Sequence, residues 1–249
     1  MAAIFTAFLS ILCGIVVAFV WPLIFNATTA FYSVIANDIT NPINLLLYGM
    51  HERLSAVIGI IDIPRQIFWF SDMGGSWLNN VGLKFSGDVA IWTAQRQTGM
   101  SSLTAGTFIT PYYVLNLFAI PGMLLALYTT FTDKIEKRRV RMLFLIALLV
   151  SMLTGVILPL EIMLAVTAPL LFAMHIFVTG VIFGVCQAMN LNLGFAFAGK
   201  TAAAMPGNLF DLLVYVRNIN AYQTIMGIMT LGAICFVLYF VMTKVYYYF

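Results

Sequence analysis

The sequence predicts an all-α, polytopic membrane protein in which spanning helices alternate with broken or re-entrant hairpins. Three observations predict it. Hydrophobic residues make up 62 % of the chain and charged residues only 8 %, against about 25 % charge in a soluble domain. Uncharged runs fall at 1–37, 97–132, 142–160, 162–199 and 218–243, and a straight span needs about 20 residues. Several of these runs are punctuated by proline and glycine, the residues at which membrane helices kink or break.

The first run predicts one helix over roughly 5–24, ending at Trp21 and Pro22, an interfacial aromatic followed by a breaker. No Lys or Arg precedes it, so it reads as a retained span rather than a cleaved leader. Segment 43–70 mixes apolar residues with His51, Glu52, Arg53, Asp62 and Arg65. It is too polar to face lipid. It reads as an interfacial amphipathic helix or as the lining of a polar cavity, with a break near Gly59. Segment 71–99, with Gly74, Gly75, Gly82, Gly87 and Gly99, predicts loops and short helices. Pro111 and Pro121 predict broken or kinked helices over 106–131.

Five of the twelve Lys and Arg residues fall in "DKIEKRRVR" (133–141). This cluster predicts a cytoplasmic loop by the positive-inside rule, with an ordinary topogenic role as the simplest account. It also empties the net charge of +3 of any message about ligands. Segment 159–199 is too long for one span and too short for two. With Pro159, Pro169 and Gly180 it predicts a re-entrant hairpin followed by a spanning helix, the interruption that marks transporter binding sites. A last span is expected over roughly 224–243, anchored by Lys244 and the tyrosines of "KVYYYF". The whole chain, 1–249, reads as one membrane domain.

Within "TGVILPLEIMLAVTAPLLFAMH" (154–175) a single carboxylate, Glu161, interrupts an apolar run. A charge at bilayer depth costs about 3 kcal/mol on insertion scales. Glu161 is therefore either a structural acid, held by N–H groups at the helix start after Pro159, or a ligand in a water-filled cavity. Intramembrane acids mark function by default. Arg53 and Asp62, nine residues apart, diverge on an unbroken helix and converge on one cavity only if the helix breaks; two interfacial charges are the alternative. His51 reads as interfacial. His175, in an apolar run without a neighbouring acid, reads as a buried neutral imidazole. Trp69, Trp77 and Trp92 fit either stacking on a sugar face or a membrane-interface belt.

Cys13, Cys186 and Cys235 lie in apolar segments without C-x-x-C or metal-ligand spacing, and read as buried small hydrophobes. P-loop, G-x-S-x-G and H-E-x-x-H motifs are all missing from the sequence. No catalytic pair, cofactor, metal or nucleic-acid partner is indicated.

Five stretches resemble one family. "TGVILPLEIMLAVTAPLLFAMHIFVTG" (154–180) is similar to the signature of membrane (EIIC) components of the glucose superfamily of the bacterial phosphotransferase system. Those proteins read T-G-I-T-E-P-I-E-F followed by a run like F-V-A-P-L-L-Y-V-I-H-A-x-x-T-G. "AIPGMLLALYTTFTDKIEKRRV" (119–140) resembles the family's G-L-P-A-A-x-L-A-M-Y stretch and basic cytoplasmic loop. "LLLYGMHERLSAVIGIID" (45–62) resembles Y-G-x-x-N-R-L-L-I-P-x-G-L-H-H, "VAFVWPLI" (17–24) the end of a preceding span, and "PGNLFDLLVY" (206–215) a G-L-I-D-Y segment. The order is the family's.

The resemblance implies a sugar or sugar-like polyol as substrate, membrane lipid around the chain, and phosphoryl supply from separate IIB and IIA proteins. It also implies residence in the bacterial cytoplasmic (inner) membrane. Family members carry further helices upstream, so a homo-oligomer or a second membrane chain is expected. Nothing in the sequence resembles a IIB domain. In the family an Arg, a His and a Glu of these motifs hold sugar hydroxyls. Here Arg53 and Glu161 match, Ile61 and Asp62 replace the histidine pair, Leu158 replaces the first glutamate, and Glu52 replaces an asparagine. The expected sugar-binding set is thus Arg53, Asp62 and Glu161. Two functions follow: the sugar-translocating component of a permease, complete or one part of a split one, or a non-transporting, regulatory EIIC-like protein that docks on a membrane partner.

Overall fold

The computed structural model describes residues 2–99, 103–196, 207–216 and 221–248. The end of the interrupted segment near residue 199 and the Pro206 that opens the last family-like stretch lie outside these. Within them the chain is almost wholly helical, and four helices are long and apolar enough to cross a membrane: Phe5–Asn37, Thr110–Thr130, Pro169–Ala188 and Tyr222–Tyr248.

Helix α1 (Ala2–Asn37) does not end at Trp21 and Pro22 as expected but continues for 36 residues. Proline removes one intrahelical hydrogen bond, whereas leaving the helix in an apolar environment would strand several backbone groups without water. The helix stops where polar residues begin. Asp38 there accepts the Thr40 N–H at 3.0 Å and the Thr40 hydroxyl at 2.6 Å.

Asn41 caps α2 (Pro42–Val57) by accepting the Ile43 N–H, and Pro42 supplies the preset first-turn geometry. The anticipated break is present. Gly59 takes φ +81°, a left-handed conformation that a side chain would strain, and α3 (Asp62–Phe70) then folds back. Next come a 3₁₀ turn (Asp72–Gly74), a hairpin of β1 (Ser76–Leu78) and β2 (Lys84–Ser86), and α4 (Asp88–Gln97). Three-residue strands leave too short a pattern to be read in sequence. The Asp88 carboxylate, 3 % exposed, accepts the N–H groups of Gly106 at 2.8 Å and Phe108 at 3.1 Å. It thereby ties α4 to the entry of the next span.

That span is α5 (Thr110–Val114), a π-helical turn (Leu115–Ala119) and α6 (Ile120–Thr130) in one continuous rod. Pro111 sits in its first turn, and Pro121, which cannot donate, follows a stretch that has widened to i→i+5 bonding. The expected break is therefore a π-bulge. The basic stretch is likewise not a loop: it forms the first two turns of α7 (Lys134–Thr154), capped by the Asp133 carboxylate on the N–H groups of Ile135 and Glu136. Alternating charges and good helix formers carry the helix out of the apolar layer.

Helix α8 (Leu158–Thr167) meets α9 (Pro169–Ala188) at Ala168, whose φ −144° and ψ 64° break the helix before Pro169. The interruption expected at the prolines is present, as a short helix bent against a long one that is itself long and apolar enough to span. Helices α10 (Leu209–Tyr215) and α11 (Tyr222–Tyr248) complete the described chain. α2 packs along α9 and α11 along α6. At the first crossing Gly49 lies against Phe183, and Gly180 against Met50 and the Leu46 carbonyl, so any side chain there would push the helices apart. An aromatic cluster of Tyr48, Phe68 and Phe108, with ring centroids 4.7–5.0 Å apart, fills the space among α2, α3 and α5. These contacts bring α2, α3 and the entry of α5 to one point, which α8 reaches by packing against α2.

Candidate functional site

At that point lies a buried cluster of charge. Arg53 on α2 is 2 % exposed, and Glu52 and Glu161 are both 0 % exposed. Arg53 donates from Nε and Nη2 to the two carboxylate oxygens of Glu52, at 2.6 Å each. Its remaining nitrogen, Nη1, donates to Glu161 Oε1 at 3.2 Å. Arg65, brought back by the turn at Gly59, donates Nε to Glu52 Oε1 at 2.9 Å. Tyr112, in the first turn of the α5–α6 rod, accepts from Arg53 at 3.3 Å and from Arg65 at 3.4 Å.

On the other side of Glu161, His175 Nε2 is 3.0 Å from Oε1, and Nδ1 is 3.0 Å from the Tyr239 hydroxyl on α11. The carboxylate requires a donor, so the ring nitrogen that faces it, Nε2, carries a proton, and the Tyr239 hydroxyl sits at Nδ1. Thr179, one turn further along α9, reaches the same hydroxyl at 3.3 Å. The cluster pairs two guanidinium groups with two carboxylates. In an apolar interior that pairing is what makes the charges tolerable: breaking such a pair strands its partner, at a cost of about 3–5 kcal/mol.

Two of the three expected site residues meet here, Arg53 and Glu161. Asp62 does not. It opens α3, is exposed, and has no part in the cluster, because the turn at Gly59 aims the following helix inward through Arg65 instead. Nor is Glu161 held by N–H groups at the start of α8: its carboxylate is bonded to Arg53 and His175. His175 does have an acid beside it, contrary to expectation. The bend at Ala168 lays the first turn of α8 against α9 and closes a separation of 14 residues. Arg65, Tyr112 and Tyr239 were not legible as partners. Glu52 was visible only as the neighbour of Arg53, and adjacent helical residues ordinarily point about 100° apart.

His51 lies outside the cluster, with Nδ1 3.3 Å from the Tyr32 hydroxyl and 3.2 Å from that of Ser55. Trp92 is buried, with its N–H donated to the Phe195 carbonyl at 3.0 Å, and Trp77 lies tilted against Phe85 in the hairpin. Trp69 alone of the three borders the site: the Arg65 guanidinium lies 4.8 Å from its ring. At this edge the Tyr48 hydroxyl and Trp69 Nε1 are buried, and among the described residues neither makes a hydrogen bond of full geometry. The two face each other, and Tyr48 lies within electrostatic reach of Glu52 and Arg65.

Charged acceptors, a planar donor fork, phenol hydroxyls and aromatic faces close together can bind a neutral molecule rich in hydroxyl groups.

A family model described as "Phosphotransferase system, EIIC" matches residues 1–180. The chain is also similar to the PTS system glucoside-specific EIICBA component of Staphylococcus carnosus (strain TM300), with 32 % identity over 204 residues. The match covers 79 % of this chain and 28 % of that relative, so the chain spans well under two thirds of the relative's length. The matched residues include both α2, which carries Arg53, and α8, which carries Glu161. This multi-pass membrane chain belongs to the phosphotransferase system EIIC family.

Proposed function

We propose that this chain is a sugar-translocating membrane component of a phosphotransferase-type permease in the bacterial inner membrane, with a sugar or sugar-like polyol as its cargo. The observation that carries this reading is the ion cluster of Arg53, Glu52 and Glu161, buried where four broken or bent helical segments meet. Buried ionisable groups in a membrane protein are expensive and are retained where a polar cargo passes. Hydroxyl groups can both donate to carboxylates and accept from guanidinium groups, so a polyol suits this set better than an ion. The name of the Staphylococcus carnosus relative supports a glucoside as one candidate cargo. Phosphoryl transfer would come from separate IIB and IIA proteins.

An oligomer, or a second membrane chain, belongs to the same proposal. The spanning window of α1 is apolar and none of it is buried within this chain. Polar backbone at broken segments must be covered by protein rather than lipid.

A second reading, a non-transporting regulatory protein, draws on a different feature. The Nε, Nη1 and Nη2 atoms of Arg53 are all engaged by the chain's own carboxylates. Such a site gives up internal ion pairs to bind anything. Sugar uptake in cells lacking their own permeases separates the two readings, with IIA and IIB supplied and with candidate membrane partners added or withheld. Uptake dependent on Arg53 supports transport. Wild-type chain that inserts, pairs with a membrane partner and gives no uptake of any glucoside or hexose tested would overturn it.

A further inference from the structure

Away from the ion cluster, α6 and α7 run side by side and leave a groove of about 230 Å³. Its walls are Leu124 and Tyr128 from α6 and Arg141, Phe144, Leu145 and Leu148 from α7. The lining is apolar except at one end, where Arg141 stands. Lys137 lies one turn before Arg141 on the same helical face, with its ammonium 5.0 Å from the Tyr128 ring. The face toward α6 therefore carries cations at positions 137 and 141 and only apolar groups at 144, 145 and 148. That is the complement of an amphiphile with an anionic head.

Charge and position favour one occupant. Five basic side chains, Lys134, Lys137, Arg138, Arg139 and Arg141, crowd the first two turns of α7 beside two acids, Asp133 and Glu136. Asp133 is committed to capping the helix. Among the described residues none of the five cations is in an ion pair. The groove descends from this end for seven residues of α7, about 10 Å along the axis, into the apolar part of the helix pair. Clustered Lys and Arg at the end of a spanning helix attract anionic headgroups, and an adjoining apolar groove holds the chain that a soluble phosphate lacks.

We propose that the α6–α7 groove binds one anionic phospholipid of the cytoplasmic leaflet, with its phosphate on Arg141 and Lys137 and an acyl chain against Leu124, Leu145 and Leu148. The site is separate from the Arg53–Glu161 cluster and does not depend on the transport reading.

Native mass spectrometry of the full-length chain, released from vesicles of phosphatidylglycerol and phosphatidylcholine in equal amounts, tests this without any substitution. Retention of one phosphatidylglycerol in about tenfold preference is expected, and equal retention of the two lipids would overturn the site. Arg141→Gln should remove most of the preference, and Arg139→Gln, the same charge change on the opposite face, should leave it within about twofold. Equal loss in both variants would overturn the groove in favour of a diffuse electrostatic surface. Leu145→Trp, which fills the groove and keeps every charge, should displace the bound lipid. Retention undiminished in that variant, or displacement of the lipid from wild type by inorganic phosphate alone, would likewise overturn the proposal.

Discussion

Arg53 and Glu161, 108 residues apart in the chain, pair at 3.2 Å with side chains 3 % and 0 % exposed. The pair joins α2 to α8, and Glu161 extends it to α9 through His175. Neither charge has water to fall back on, so each depends on the other.

Glu161→Gln keeps volume and hydrogen-bonding capacity but removes the charge that Arg53 and His175 share. The variant should insert normally, lose at least about tenfold in sugar affinity or uptake, and melt lower. The stability loss should approach the roughly 3–5 kcal/mol of a broken buried pair. Arg53→Ala should be at least as damaging, since it takes the shared guanidinium from two carboxylates and leaves Glu52 only Arg65 and Glu161 only His175. Binding and melting temperature on the same purified variants decide the role. Full affinity in Glu161→Gln would show that the carboxylate is structural.

Asp62→Asn provides the contrast. Asp62 is exposed and outside the cluster, and surface changes away from special features fall within about 0.5 kcal/mol. Uptake and melting temperature should match wild type. Glu52→Gln, at the neighbouring centre of the cluster, should lose both, because Glu52 holds Arg53 and Arg65 together.

Tyr48→Phe removes a buried hydroxyl that faces Trp69 and, among the described residues, makes no hydrogen bond of full geometry. Deleting an unsatisfied group is close to neutral or stabilising for the fold. Sugar affinity should nevertheless fall by about 0.5–1.5 kcal/mol, the net value of one hydrogen bond. Titration calorimetry and thermal melting would show affinity and stability moving apart. Parallel losses in both would mean that the hydroxyl serves the fold.

The end of α6 and the start of α7 should face the cytoplasm, as the basic residues there dictate. A cysteine at Thr132, in a chain whose exposed Cys13 has been replaced by serine, should react with an impermeant maleimide only after the inner leaflet is opened. Labelling of intact cells would invert the topology.

Burial raises the Asp88 carboxyl to about 6, against the backbone N–H groups of Gly106 and Phe108, which favour the charged form. The folded state then binds the proton more tightly than the unfolded chain. Stability from this group is full below about pH 4 and is lost as pH rises through 6, a change of about 3 kcal/mol. Relative to wild type, Asp88→Asn should flatten the dependence of melting temperature on pH between 4 and 6. An unchanged slope would rule Asp88 out as its source.

The sequence by itself determined the membrane class, the break at Gly59, the interruption before Pro169, and the two charges at the centre, Arg53 and Glu161. Each follows from a local rule: hydropathy over a span, a glycine or proline at an interruption, a charge that lipid does not tolerate. Tertiary structure decided the rest. Local rules put an end to α1 at Pro22, yet the chain stays helical there because an apolar environment penalises freed backbone more than one missing bond. They allowed Asp62 to reach the Arg53 cavity once the helix breaks, but the direction in which a helix leaves a turn depends on what packs beneath it, and that direction selects Arg65. Glu52 came to bridge Arg53 and Arg65 only through the turn at Gly59, and His175 met Glu161 only through the bend at Ala168. Partners tens of residues apart leave no periodicity in a sequence, so a buried charge announces that it needs a counter-charge, and only the packed helices say which.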